Sequence, residues 1–202
     1  MVQARRKGKS EPLVRGEAVV RGVLAATLRE AARAGYHGLR IEDVAALAGV
    51  NKTTVYRRWP TKQELVRDAL LSIAGAALTV ADAGSLREDL LAIARRIASL
   101  GAQAEYQGLY RLFVVEGGDP ELVAIVRSLR TSFEAVPRAI LEAADRRGEL
   151  APGVDPKLLF DVLGAALNRR LFFEREPLDE AWLQQLVDLL LHGALARPRT
   201  SR

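Results

Sequence analysis

Residues 41–64 read IEDVAALAGVNKTTVYRRWPTKQE. Ile41, Val44, Ala45 and Ala48 recur at i, i+3, i+4 and i+7, which gathers four apolar side chains on one helical face and predicts a helix of about two turns. Gly49 supplies the positive φ that ends a helix, Val50 an apolar plug, and Asn51 a cap for the next helix. In that second helix Val55 is the only clearly aliphatic side chain before Trp59, so Lys52, Thr53, Thr54, Tyr56, Arg57 and Arg58 face outward or sideways. Hydroxyls, a phenol and guanidinium groups are the donors that a recognition helix presents to phosphates and base edges in the major groove. Pro60 stops the helix. Thr61 and Glu64 form a capping box, which puts Lys62 in the first turn of a third helix whose N-terminal amides also favour a phosphate. The competing reading is an amphipathic hairpin with a solvated charged face.

The stretch from Gly35 to Leu71 closely resembles the N-terminal DNA-binding domain of the TetR family of bacterial transcriptional regulators. The residues that carry the likeness are Ala45, the Ala48-Gly49-Val50 turn, Thr54-Val55-Tyr56, Trp59-Pro60, Lys62 and Leu65. The resemblance implies that Lys52, Thr53, Tyr56 and Arg57 approach base edges or the adjoining backbone, and that Thr54, Tyr56, Arg58 and Lys62 hold phosphates. Arg40 departs from the pattern. It stands where the family more often has a Ser or Thr cap, so it either weakens the cap or adds a phosphate contact. Glu42 is a second departure, because a carboxylate near the groove repels phosphate unless it pairs with Arg40 or accepts from a cytosine.

Charge divides the chain in the same sense. Residues 1–70 hold 14 Lys and Arg against 7 Asp and Glu, and the remainder 16 against 18, so the net charge of +5 comes from the N-terminal part. Arg5, Arg6, Lys7 and Lys9 suit a disordered basic arm, residues 1–15, that lies along DNA or merely solubilises the chain. With 202 residues there is enough chain for one or two domains with a real core. The absence of cysteine excludes a disulfide framework, cysteinyl zinc and thiol catalysis, and fits a reducing cytoplasm. No signal peptide or membrane-spanning run is read.

The remaining chain reads as helices, for an all-α fold of about nine: a three-helix helix-turn-helix domain over 16–62 and a helical effector-binding and dimerisation domain over 63–202. A first helix spans about Glu17 to Ala34 and ends at Gly35. Lys62 to Ala77 forms a linking helix, and Ser85 with Glu88 caps another running to Leu100. A further helix covers about Gln103 to Glu116. Asp119-Pro120 and Asp155-Pro156 each pair a cap with a proline at the first helical position. The helix from Asp119 runs to about Arg147 with a kink expected before Pro137. The helix from Asp155 ends before Pro177, and a last one runs from Asp179 to Ala196.

Leu159, Leu163, Ala166 and Leu167 on one helix and Leu186 and Leu190 on the next belong to apolar faces wider than a monomer needs. They suggest a twofold four-helix homodimer interface reading a palindromic operator. Tyr106, Tyr110, Phe113 and Phe133 lie in the two helices that the family resemblance makes the walls of a ligand cavity. Arg111, Gln107, Asn168 and Trp182 could add polar or stacking contacts to a small apolar or amphipathic effector, although an aromatic stripe also serves as plain core. The function implied is a repressor released by that effector, with an activator or an effector-independent DNA-binding protein as alternatives. An all-helical enzyme has little support: His37 and His192 stand alone, without metal spacing, and there is no phosphate loop or nucleophile elbow. No residue pattern calls for a cofactor.

Overall fold

The computed structural model describes residues 12–77, 83–101, 103–153 and 155–193, and among them it contains nine helices and no strand. The helices are α1 (Pro12–Gly38), α2 (Ile41–Leu47), α3 (Lys52–Arg58), α4 (Lys62–Ala77), α5 (Leu86–Gly101), α6 (Ala104–Tyr110), α7 (Pro120–Arg146), α8 (Pro156–Asn168) and α9 (Glu180–His192). α6 and α8 each continue into a wide π-helical turn, Arg111–Val115 and Arg169–Glu174. The expected helix from Gln103 to Glu116 is thus two geometries in sequence. The basic arm, with Arg5, Arg6, Lys7 and Lys9, lies outside the described residues.

The chain divides into two compact units. One comprises residues up to Ser72 with Gln107–Ile125, the other Ile73–Tyr106 with Val126 onward. The segment 107–125, expected in the C-terminal domain, therefore belongs to the same unit as the first three helices and packs on α1.

In the first unit, α1 breaks at Gly35 (φ 73°) and makes one more turn to Gly38. Its inner face, with Val23, Leu28 and Ala31, is fully buried, as are Val44 of α2, Val55 of α3 and Leu65 and Leu70 of α4. α6 approaches α1 so closely that a Cβ on Gly108 would stand 2.0 Å from the carbonyl oxygen of Leu28.

In the second unit, α5, α8 and α9 pack around Leu90, Leu91, Leu163, Leu167, Leu183 and Val187. Leu163 and Leu167, expected at a subunit interface, are buried in the chain's own core, and Leu159, Leu186 and Leu190 pack against that core from its edge. Ala166 is half-buried. The exposed apolar side chains of these helices are instead Leu158 (57 % exposed), Val162 (41 %) and Leu189 (51 %), one position round each helix. An apolar stripe covering more than half a helix does not specify which of its edges meets the core.

Asp155 and Asp179 cap their helices as expected, accepting from the amides of Lys157 and Trp182 at 2.9 Å each. α9 is described to His192, where Gly193 takes φ 72°, and the expected continuation to Ala196 lies outside the described residues. Pro137 lies inside α7 without ending it.

α5 and α9 are also joined by charge. Arg95 donates Nε and Nη2 to the two oxygens of Glu180 at 3.0 and 2.5 Å, and Arg87 donates Nε to Asp188 at 2.8 Å. The Arg95 guanidinium, followed by the Gln184 amide, holds the Glu180 carboxyl at about 2 against an ordinary 4.5. A carboxylate whose value is depressed on folding adds stability above its unfolded value and loses it as pH falls through the folded one. The Glu180→Gln variant is therefore expected to lose less of its urea midpoint than the parent as pH drops from 4.5 towards 2. Parallel loss in both would mean that the pair adds nothing.

Candidate nucleic-acid interface

The turn between α2 and α3 follows from three residues. Gly49, at φ 67°, lets the Val50 amide donate to the Ala45 carbonyl at 3.0 Å and its own amide donate to Ala46 at 3.1 Å. These are the two hydrogen bonds of a Schellman C-cap. Asn51 then caps α3, its Oδ1 accepting from the Thr53 amide at 3.0 Å and from the Thr53 hydroxyl at 2.7 Å. Arg40 occupies the N-cap of α2 and gives it no side-chain hydrogen bond, so that end lacks the bond a Ser or Thr would supply.

α3 is anchored from one side only. Val55 is fully buried, and Trp59 nearly so, its indole N–H donating to Asp68 at 2.9 Å. A buried indole needs such an acceptor. That requirement is the only signal in the sequence for a role of Asp68. Lys52, Thr53, Tyr56, Arg57 and Arg58 are exposed and Thr54 is half-exposed, so α3 presents hydroxyls and cations outward. The Arg58 guanidinium lies 5.5 Å from the centre of the Trp59 ring. Thr54, Arg57 and Arg58 also border a groove of about 470 Å³ whose far wall is Val19, Val20 and Val23 of α1. The Thr61–Glu64 capping box forms with both bonds at 3.2 Å.

Two expected site residues have partners within the fold. The Tyr56 hydroxyl donates to Glu42 of α2 at 3.3 Å, so the Glu42 carboxylate is engaged by α3 itself. A backbone amide in its own helix turn, then Tyr56, Arg40 and Lys52, hold Glu42 below the usual carboxylate range. Partial burial and the facing carboxylate raise the Tyr56 phenol. Lys62 is half-buried, donates to the Tyr36 carbonyl at 3.0 Å and lies 4.3 Å from the centre of the Tyr36 ring.

Lys62 belongs to a polar clamp on the end of α1 that the sequence did not reveal. Arg111, in the first wide turn, donates to the carbonyls of Ala32 and Arg33 at 3.1 and 3.3 Å, and to Glu116 at 3.0 Å. Glu116 accepts from the Tyr36 amide at 2.6 Å, next to Gly35, where any Cβ would meet it at 2.0 Å. Glu121 of α7 accepts from the Tyr36 hydroxyl at 2.6 Å and from Gln63 at 3.2 Å. His37 pairs with Asp119 at 2.8 Å. Arg111 thus serves α1, whereas the sequence reading offered it to a ligand.

The aromatic residues expected around one ligand are distributed. Tyr106 is buried in the second unit, stacked on Phe172 at 5.9 Å with its hydroxyl 3.4 Å from Asn168, and burial pushes its phenol up to about 12. Trp182 lies under the Arg170 guanidinium at 4.8 Å. Phe133 lines an open groove of about 540 Å³ with Pro137, Leu141 and Phe160, rimmed by Arg130, Arg138 and Lys157 and as many carboxylates. Tyr110 and Phe113 fall in the first unit. Among the described residues no group of three or more acidic, His or Cys side chains could hold a metal, and no helix is long and apolar enough to cross a membrane.

Comparison with known proteins bears on both units. A family model described as bacterial regulatory proteins, tetR family, matches residues 23–69, and one described as the tetracyclin repressor-like C-terminal domain matches 80–190. The DNA-binding transcriptional repressor TetR of Mycobacteroides abscessus is 38 % identical over 183 residues, spanning 89 % of this chain and 95 % of its own. A crystal structure of a TetR family transcription regulator shares 32 % identity at a TM-score of 0.67, covering 88 % of this chain and 99 % of the other. The regulator FadR from Bacillus subtilis, solved in complex with stearoyl-CoA, has the same fold at a TM-score of 0.69 and 17 % identity, covering 87 and 99 %.

Proposed function

Since the chain belongs to the TetR family of bacterial transcriptional regulators and is not an enzyme, we propose that it is a repressor. In this reading it binds a palindromic operator as a homodimer and leaves it when a small apolar or amphipathic effector occupies its C-terminal unit. The observation that carries operator recognition is α3 itself: a capped helix, held by Val55 and Trp59, that presents Lys52, Thr53, Tyr56 and Arg57 to solvent. Arg57 reads base edges, Arg40 and Arg58 meet phosphates on either side, and Thr54 approaches the backbone. Lys62 acts chiefly by tying α4 to the end of α1 through Tyr36, so that the reading pair keeps its position on the supporting helix.

The second copy docks on the outward apolar stripe of α8 and α9. Leu158, Val162 and Ala165 recur at i, i+4 and i+7 on α8 and are exposed, as is Leu189 on α9. A twofold interface of this kind spaces two recognition helices by whole turns of DNA, about 34–36 Å or a multiple. Tyr106, Asn168 and Trp182 are the effector contacts favoured in the second unit. FadR, of the same fold, holds stearoyl-CoA, an amphipathic molecule of the general kind proposed. Effector binding reaches α3 by a population shift, which requires different affinities for the bound and released states.

Selection of random duplexes by the purified protein tests this reading, followed by titration of the winning site at several salt concentrations. One enriched palindrome, bound as a dimer, is the expected result. The Arg57→Ala variant should bind that palindrome about 10-fold to 100-fold more weakly and relax the preference at one position per half-site, in line with about 1–3 kcal/mol per base contact. Purely electrostatic binding without enrichment would remove the operator from the proposal.

A further inference from the structure

The contact between Glu42 and Tyr56 determines which atoms α3 can offer to DNA. Glu42 is in the first turn of α2, Tyr56 on the outward face of α3, and their side chains meet at 3.3 Å across the turn. A carboxylate only accepts hydrogen bonds, so the proton in this contact is the phenol's. With that proton turned towards Glu42, the Tyr56 oxygen and the carboxylate are left with only lone pairs to offer. A phosphate is also an acceptor, and is negatively charged. It gains no hydrogen bond from this pair and is repelled by it.

We propose that Glu42 and Tyr56 form a specificity-determining pair whose acceptor atoms read an exocyclic amine in the major groove, adenine N6 or cytosine N4, instead of holding a phosphate. The inference rests on the operator-binding reading above. In the major groove those two amines are the only donors that base edges present. The surroundings support the assignment. Arg40 precedes Glu42 by two residues and Lys52 precedes Tyr56 by one helical turn, both exposed and both near enough to depress the Glu42 carboxyl. The cations draw the backbone to either side of the pair, and the anion between them keeps phosphate away from its centre. The 3.3 Å separation is longer than the usual O–H···O distance of about 2.5–3.0 Å, so the phenol is oriented by Glu42 yet can still adjust to a base edge.

Random-duplex selection with the full-length protein and its Tyr56→Phe and Glu42→Ala variants tests the pair. The parent is expected to enrich an amine-bearing base at one symmetric position in each half-site. Replacing that base by its amine-free analogue, purine for adenine or 2-pyrimidinone for cytosine, should weaken binding about tenfold, and the base concerned identifies the source of the amine. Both variants should lose the preference at that position. Glu42→Ala should also bind unrelated duplexes more tightly and steepen the log–log salt dependence by about one unit, because an anion has left the interface. Tyr56→Phe keeps the ring and its packing, so the test stands even if Glu42→Ala folds poorly. An unchanged preference in a folded variant, or an amine-free site bound as tightly as the parent site, overturns the pair and leaves operator recognition intact. If the parent enriches no sequence at all, operator recognition and the pair fail together.

Discussion

Replacing Arg147 by alanine is expected to lower the stability of the chain by about 3–5 kcal/mol, the cost of leaving a buried charge without its partner. The Asp89 side chain is fully buried and meets Arg147 at 3.2 Å and the Ala83 amide at 2.8 Å. Arg147 also donates to Glu149 at 2.6 Å, and Glu149 accepts from the Leu86 amide at 2.5 Å. One guanidinium therefore supports two carboxylates that tie the start of α5 to the loop after α7. For a chain of this size each kcal/mol moves the melting temperature by about 2–4 °C, so a fall of about 6–20 °C is expected in a thermal melt. Adding Asp89→Asn should recover part of it, since a neutral amide is less costly to bury than an unpaired carboxylate. A single variant melting within about 2 °C of the parent would show that the pair is solvated and contributes little.

Gly108→Ala is the second large effect. The added methyl would stand 2.0 Å from the Leu28 carbonyl oxygen and 2.8 Å from its carbon, both backbone atoms of a long helix. No side-chain rotamer relieves that contact, so α1 and α6 must separate, at a cost of about 3 kcal/mol or more. The control is Gly22→Ala on the same α1, where nothing lies within 4 Å of the added carbon. There alanine should stabilise by about 0.5–1 kcal/mol, the ordinary helix preference. Opposite signs in urea unfolding would separate packing from propensity, whereas equal stabilisation would mean that the two helices part without cost. Because α1 supports α3, Gly108→Ala should also weaken DNA binding in proportion to its loss of folded protein.

The parts of this fold that the sequence made legible are those governed by residues a few positions apart. Gly49 and Asn51 defined the reading turn, and Thr61 with Glu64, Asp155 and Asp179 marked helix starts, because a cap acts on amides two or three residues away. Contacts between distant residues were not legible. Glu42 and Tyr56 are 14 apart, Tyr36 and Glu116 are 80, and the latter pair depends on a wide turn that no spacing rule announces. The same limit explains the dimer residues. Periodicity marked α8 as apolar on two sides, but only the packing of α5 and α9 assigns Leu163 and Leu167 inward and leaves Leu158 and Val162 outside. The role of Arg111 was not legible for a related reason: beside Tyr110 it reads as a polar handle for a ligand, while in the fold it donates to Glu116 and to two carbonyls of α1, 79 and 78 residues earlier.

The wide turn at Arg111–Val115 takes up more chain per revolution than an α-helix does. Loss of one residue within it would let α6 continue as an ordinary helix with Glu116 at nearly the same angle, because the i→i+5 bond from the Glu116 amide to the Arg111 carbonyl would become i→i+4. The carboxylate would then still face the Tyr36 amide, which now donates to it at 2.6 Å. Elsewhere in a bundle a missing residue shortens a loop. Here it would be absorbed as a change of helix type, so the stretch from Arg111 to Glu116 is a place where a diverging copy of this gene can lose a residue and still keep the end of α1 closed.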